Sequence, residues 1–205
     1  MHSKIVILFQ QISKNMKKTI FALGCLLSLS PAWASTTVSD VVYEDTLKKG
    51  SSELVLNGAG IREIFVVDVY AAGLYLPKRT TKASEVIAMP GDKTVRLGLL
   101  RDVDAGDFVE ALNDGILDNT TEAERKALKS ELQSLIDVMN LIGDVKKGDL
   151  VDFDYSKAHG TSVSVNGKLI GEKIGGEALY QAVLKIWLGD KAIDSDLKKA
   201  LLKSS

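Results

Sequence analysis

The apolar and polar positions of the chain are organised around residues 56–78, the longest run rich in β-branched and aromatic residues after the first 34. Residues 57–60 are Asn-Gly-Ala-Gly and predict a turn, because glycine adopts positive φ angles that other residues avoid. Residues 61–76 predict a strand with apolar side chains in both alternating sets, so both faces should be covered. Gly73 indicates a bulge or the close approach of another group, and Pro77 ends the strand.

Shorter alternating segments predict further strands on both sides of this stretch. Asn166-Gly167 is the residue pair that two-residue hairpin turns favour, so it predicts a β-hairpin. The predicted strands besides the central one are residues 38–43, 53–56, 94–100, 150–155, 161–165 and 168–171.

Capping residues and the helical spacing of apolar residues predict the helices. Thr121 and Glu124 have the spacing of a capping box, and Gly143 ends the helix that they open. The predicted helices are residues 82–88, residues 105–117 after the N-cap Asp104, the segment from Thr121 to Gly143, the segment from Gly176 to Leu188, and the segment from the N-cap Asp194 to Leu201.

The order of these elements predicts an α+β fold. Strands come first, helices occupy the middle, a hairpin follows and helices end the chain, which excludes a regular alternation of strands and helices. We therefore expect an antiparallel sheet with helices packed on one face.

The first 34 residues have the features of a cleaved leader. Residues 16–18, Met-Lys-Lys, begin a charged segment, and an apolar segment follows at residues 19–30. Residues 32–34, Ala-Trp-Ala, supply small side chains at the two positions that a signal peptidase recognises. The apolar segment is shorter than the roughly 20 residues of a membrane span, so we expect no integral span after cleavage.

These features predict a start at Met16, cleavage after Ala34 and a single domain over residues 35–205. A protein with such a leader is expected in the periplasm. Lipidation of Cys25, the only cysteine, is the alternative interpretation of the leader.

Composition excludes several classes of function. Four of the 26 basic residues and none of the 27 acidic ones lie in residues 1–34, so the predicted mature chain carries 22 against 27, a formal charge of −5. Without a basic block, we expect no nucleic-acid partner. His159 is the only histidine after the leader and no cysteine remains, so we expect no metal site and no cofactor.

Six short motifs follow one another along the chain, and each is weak alone. They are Gly-Ala-Gly-Ile-Arg at residues 58–62, Val-Tyr-Ala-Ala-Gly-Leu-Tyr-Leu at 69–76, Lys-Gly-Asp at 147–149, Ser-Val-Asn-Gly-Lys at 164–168, Ile-Trp-Leu-Gly at 186–189 and Ser-Asp-Leu-Lys at 195–198. Together they resemble the chalcone isomerase superfamily, in particular its bacterial chalcone isomerase-like branch, over residues 41–202. The resemblance implies an open-faced β-sandwich with a helical layer, and a ligand cleft between the sheet and the helices.

Arg62 is the first candidate for a ligand-binding residue. A guanidinium is always charged, and its planar set of donors fits a carboxylate or a phenolate. From spacing alone, the preferred interpretation is that Arg62 faces solvent or pairs with Glu63 or Asp68. The resemblance places Arg62 on the arginine that faces the anionic group of the ligand in chalcone isomerases and in their fatty-acid-binding relatives.

Two further candidates are Tyr70 and Asn113. If the central strand is regular, Tyr70 shares a face with Arg62 and could donate a second hydrogen bond; the alternative is a packing role. The resemblance places Asn113 on an asparagine of the enzymes, with a surface role as the alternative. Tyr70 stands where the enzymes have a threonine, and Gly106 stands where they have a tyrosine, so the catalytic set is incomplete.

These residues support three hypotheses of function. The first is a periplasmic protein, non-catalytic or weakly catalytic, that binds a small amphipathic carboxylate such as a fatty acid, or another hydrophobic ligand, at Arg62. The second is an interaction partner in the cell envelope without a small ligand, which predicts a filled cleft and an exposed apolar patch on the helices. The third is an isomerase or intramolecular lyase of the chalcone isomerase type, for which the incomplete set is unfavourable.

Overall fold

The structure is a computed structural model and describes residues 35–203. The expected leader, with Met16 and Cys25, lies outside the described residues. Within them, no helix is long and apolar enough to cross a membrane.

Nine strands and six helices make up the described chain. The strands are β1 Ser35–Val38, β2 Val41–Glu44, β3 Thr46–Lys49, β4 Ser52–Ile64, β5 Val67–Leu76, β6 Lys93–Leu99, β7 Leu150–Ser156, β8 Gly160–Val165 and β9 Lys168–Ile174. The helices are α1 Ala83–Ala88, α2 Ala105–Asn119, α3 Glu122–Ala127, α4 Lys129–Ile142, α5 Glu177–Leu188 and α6 Ser195–Leu201.

Strands β3 to β9 form one antiparallel sheet in sequence order, and β1 and β2 form a separate hairpin. One face of the sheet packs against the helices in a large core that includes nearly all of α5, a helix apolar on almost every side. The predicted α+β class, an antiparallel sheet with helices, is confirmed.

The opposite face of the sheet carries a smaller core. Tyr43 of β2 packs there against Leu54, Leu56 and Tyr75. A Cβ added to Gly73 would lie 2.4 Å from the Tyr43 ring, so glycine is required at this position. The predicted close approach at Gly73 and the predicted burial of both faces of the central strand are therefore confirmed.

The predicted turn at residues 57–60 is wrong. These residues lie inside β4, and the chain turns instead at Phe65-Val66, between β4 and β5. The glycines allow α6 to pack closely against β4. A Cβ on Gly58 would lie 2.3 Å from the Ala200 carbonyl oxygen, and a Cβ on Gly60 would lie 2.5 Å from the Ala200 Cβ. The single predicted central strand is thus a hairpin of two strands.

Two other boundaries differ from the prediction. Residues 38–43 contain a tight turn at Ser39, which has a φ of 52°, so the predicted strand is the β1–β2 hairpin. The predicted helix after Thr121 breaks at Leu128 into α3 and α4, because Leu128 leaves the helical backbone conformation.

Local capping and turn signals are mostly confirmed. The capping box of Thr121 and Glu124 is present, and Asp194 caps α6 through the backbone N–H groups of the first turn. Asn166 and Gly167 both have positive φ and form the β8–β9 turn. Asp104 precedes α2 but makes no capping hydrogen bond; the Asp144 carboxylate accepts one from the Ala105 N–H instead.

Candidate ligand-binding site

A bulge in β4 determines which way Arg62 points. Leu54 and Leu56 face the smaller core, whereas Asn57 and Gly58 both face α6, so two consecutive residues lie on the same side of the strand. Asn57 holds the bulge in place by donating to the Leu201 carbonyl at 2.7 Å. Beyond the bulge, even-numbered residues face the helices. Arg62 is therefore on the helix side of the sheet.

Tyr70 lies directly opposite Arg62 on β5. The guanidinium carbon of Arg62 is 6.0 Å from the centre of the Tyr70 ring, at the limit of a cation–π contact. The two residues are cross-strand neighbours, which share one face of a sheet. The sequence analysis predicts that Arg62 and Tyr70 share a face of one regular strand. They do share a face, but they lie on two paired strands.

Both residues present hydrogen-bond donors that the described chain leaves unused. The Arg62 Nε is buried and has no hydrogen-bond partner among residues 35–203. None of the ion pairs within those residues involves Arg62, so the predicted alternative of a pair with Glu63 or Asp68 is not formed. A buried donor without a partner is unfavourable by about 1–3 kcal/mol, which a ligand acceptor would recover.

Trp187 orients the Tyr70 hydroxyl. The Trp187 indole N–H donates to the Tyr70 oxygen at 3.0 Å, and both side chains are buried. The hydroxyl proton of Tyr70 then remains free to donate elsewhere. Burial raises the pKa of Tyr70 above its ordinary value, against the opposing effect of the Arg62 charge. Tyr70 is therefore a neutral donor at physiological pH.

Arg62 borders three cavities that share lining residues. The main cavity, of about 190 Å³, lies between β5, the start of α2 and the end of β6. Its apolar lining includes Val69, Leu99, Val103 and Phe108, and its charged lining, besides Arg62, is Arg101, Asp102, Asp104 and Asp107. An inner cavity of about 30 Å³ continues towards Trp187. An outer groove of about 660 Å³ runs along α2. Arg62 thus lies where the small, largely apolar inner cavity opens into the main cavity and the outer groove.

Aromatic rings form the inner wall. Phe153 lies 5.7 Å from Trp187 and 6.5 Å from Phe108 between ring centres, in tilted and edge-on arrangements that favour aromatic pairs. The sequence assigned Trp187 to the core, which is confirmed, but it did not predict the hydrogen bond to Tyr70. The available signal was that a buried tryptophan N–H needs a partner.

The outer groove is acidic. Asp107, Glu110, Asp114 and Asp118 follow one another along α2 and line the groove with exposed side chains. Their negative potential opposes the entry of highly charged anions. Within the described residues, no group of three or more His, Cys, Asp or Glu side chains is placed to hold a metal ion.

Asn113 lies on α2, half-buried, and borders none of the three cavities that Arg62 lines. Gly106 is exposed in the first turn of α2 with open space around it. The structure therefore brings Arg62 and Tyr70 together and leaves Asn113 outside their site.

Comparison with known proteins gives the family. The sequence pattern of the chalcone isomerase-like family matches residues 35–203, and the chain belongs to this family. Its fold is similar to the crystal structure of a fatty-acid binding protein from Arabidopsis thaliana, with a TM-score of 0.62 and 16% sequence identity. That similarity covers 82% of this chain and 96% of the plant protein. No curated protein sequence matches the chain.

Proposed function

We propose that the protein binds a small amphipathic carboxylate, of the kind represented by a short fatty acid, between the sheet and the helices. The observation that carries this proposal is the buried Arg62 Nε, which has no partner in the described chain and borders a cavity with apolar residues along part of its wall. A cation with unused donors beside apolar walls is the composition of a site for an amphipathic anion.

In this proposal the two ends of the ligand meet different surfaces. The carboxylate accepts from Arg62 Nε and from the Tyr70 hydroxyl, and the apolar part lies against Val69, Leu99 and Phe108 in the main cavity. Charge-assisted hydrogen bonds are about twice as strong as neutral ones, so Arg62 supplies most of the polar affinity.

The size of the site limits the ligand. The main cavity, at about 190 Å³, is below the roughly 300–1,000 Å³ of pockets that enclose drug-sized ligands. A short apolar chain fits without rearrangement, whereas a longer one extends into the outer groove. The acids along that groove repel anions, so a ligand with one negative charge is less disfavoured than one with several.

Binding is preferred over catalysis because the residue paired with Arg62 supplies a hydrogen-bond donor and not a base. Tyr70 lies opposite Arg62, and burial keeps its hydroxyl protonated. The plant protein of the same fold is named for fatty-acid binding, which supports the same choice for this chain.

An interaction partner without a small ligand is less well supported. That hypothesis predicts a filled cleft and an apolar patch on the helices. Among the described helices the large exposed apolar residues are Leu117 and Leu141, on different helices, and the cavity beside Arg62 is not filled.

We further propose that binding takes place in the periplasm, which the leader-like residues 1–34 support. Cell fractionation followed by N-terminal sequencing tests this location, with Ser35 as the expected first residue. Recovery of the protein with its leader intact in the cytoplasmic fraction would contradict it.

Native mass spectrometry of the protein from its own cells tests the proposed function. We expect an additional mass in the range of a small carboxylic acid, present in the wild type and missing in an Arg62→Ala variant. An Asn113→Ala variant is the matched control and should keep the ligand, since Asn113 borders none of the cavities. An Arg62→Ala protein that retains the ligand in full would refute the proposal.

A further inference from the structure

The turn between β4 and β5 exposes large apolar side chains. We call residues Ile64, Phe65, Val66 and Val67 the hairpin tip. Phe65 is 95% exposed and Val66 is 90% exposed, the highest values among the large apolar residues of the described chain. Ile64 and Val67, at 43% and 42%, complete an apolar surface of four adjacent residues. Such a cluster is a signature of an interaction site, whereas single exposed apolar residues are common.

The backbone of the hairpin tip is poorly suited to these residues. Phe65 has a φ of 57°, a conformation that is unfavourable for bulky side chains. The β8–β9 hairpin of the same chain uses Asn166-Gly167 for its two-residue turn, which is the favoured choice. The needs of the turn therefore do not explain why Phe65 and Val66 occupy it. The explanation lies in a property of their exposed apolar side chains.

The hairpin tip lies at the mouth of the candidate site. Ile64 lines both the main cavity and the outer groove beside Arg62. The charged residues next to the tip are Arg62, Glu63 and Asp68, two acids and one base, and Glu63 and Asp68 are exposed. The tip is thus apolar at its end and slightly acidic at its base.

The extent of the hairpin tip distinguishes between possible partners. A standard protein interface uses about 20–30 residues on each side, far more than four. A lipid surface needs no matching partner surface, and a few apolar side chains give weak, reversible attachment. The acids at the base make an anionic surface unfavourable. We propose that the hairpin tip inserts Phe65 and Val66 into the interface of an uncharged, zwitterionic lipid surface, a property that does not depend on ligand binding.

Sedimentation with phosphatidylcholine vesicles tests this proposal, using the protein in the form that its cells produce. We expect the wild type to sediment with the vesicles and the Phe65→Asn/Val66→Ser variant to bind at least tenfold more weakly. That factor is a lower bound for removing a Phe and a Val from an apolar environment. Leu141→Ser is the matched control, because Leu141 is 67% exposed on α4 and its loss should leave vesicle binding unchanged.

Two further measurements separate this role from a structural one. Asparagine tolerates positive φ, so the double variant should unfold at the same urea concentration as the wild type or at a higher one. Adding phosphatidylglycerol to the vesicles should not strengthen binding. The proposal is overturned by a wild type that does not sediment, by equal losses in both variants, or by binding that requires the anionic lipid.

Discussion

The contact between β4 and α6 gives the sharpest test of the fold. A Cβ on Gly60 would lie 2.5 Å from the Ala200 Cβ, about 1 Å inside ordinary van der Waals contact, and 3.2 Å from the Leu197 Cδ1. Adding one methyl group to a packed core is unfavourable by about 1–3 kcal/mol. Replacing a strand glycine contributes about 0.5–1 kcal/mol in the opposite direction. We therefore expect Gly60→Ala to lower the free energy of unfolding by about 1–2 kcal/mol.

A second substitution should relieve this clash. Ala200→Gly alone lowers the free energy of unfolding by about 1 kcal/mol, because glycine is unfavourable inside a helix. In the double variant the methyl group has moved from Ala200 to Gly60. The nearest remaining atoms are the Leu197 Cδ1 at 3.2 Å, the end of a flexible side chain, and the Ala200 Cα at 3.9 Å. The double variant should then be about as stable as Ala200→Gly alone, which is a coupling of about 1–2 kcal/mol.

Urea unfolding followed by circular dichroism measures these free energies. Gly106→Ala is the control: the same chemical change at a glycine with open space around it should raise stability by up to about 1 kcal/mol. If Gly60→Ala is neutral, or if the two substitutions at the β4–α6 contact are simply additive, the packing described for Gly60 is incorrect.

Two further predictions concern single side chains. Tyr70→Phe removes the acceptor of the Trp187 N–H, so it should lower the free energy of unfolding, measured with urea, by about 1–3 kcal/mol. It should also weaken carboxylate binding. Unchanged stability would contradict the hydrogen bond between Trp187 and Tyr70. The Lys185 ammonium and the Thr121 capping contacts lower the pKa of Glu124 from 4.5 to about 2, so they stabilise the fold fully above about pH 4.5 and progressively less as the pH falls towards 2. The stability difference between wild type and Glu124→Gln should shrink over that range, and a difference as large at pH 2 as at neutral pH would contradict this assignment.

Local signals in the sequence predicted the features that depend on a few neighbouring residues. The capping box at Thr121, the cap at Asp194 and the turn at Asn166-Gly167 are determined by contacts within three or four positions. The fold class followed from the order of the elements and from the resemblance to the family.

The turn predicted at residues 57–60 is wrong because glycine has two roles that look alike in sequence. At Gly58 and Gly60 it admits a helix contributed by residues about 140 positions later, which no local pattern reveals. The real turn at Phe65-Val66 contains no glycine, proline or asparagine, so it carried no turn signal. Large apolar residues at the turn look like part of a strand in the sequence, so the turn is not detected from the pattern.

The candidate site was predicted in part. Arg62 and Tyr70 were identified and lie together, but their geometry depends on the bulge at Asn57 and on the pairing of two strands. The orientation of the Tyr70 hydroxyl depends on Trp187, 117 residues away, and could not be predicted locally. Ligand binding by Arg62 and Tyr70 stays a prediction, whereas Asn113, the third candidate, borders none of the cavities beside Arg62.

The most direct test of the central claim is calorimetric titration of the protein with octanoate, beside an Arg62→Met variant and the methyl ester of the same acid. A hydrogen bond to a charged group contributes about 1.5–3 kcal/mol, so we expect affinity to fall by a factor of roughly ten or more in the variant. The ester should bind the wild type about as weakly as octanoate binds the variant. Equal affinity of both proteins for octanoate, or of the wild type for acid and ester, would contradict the assignment of Arg62 as the carboxylate anchor.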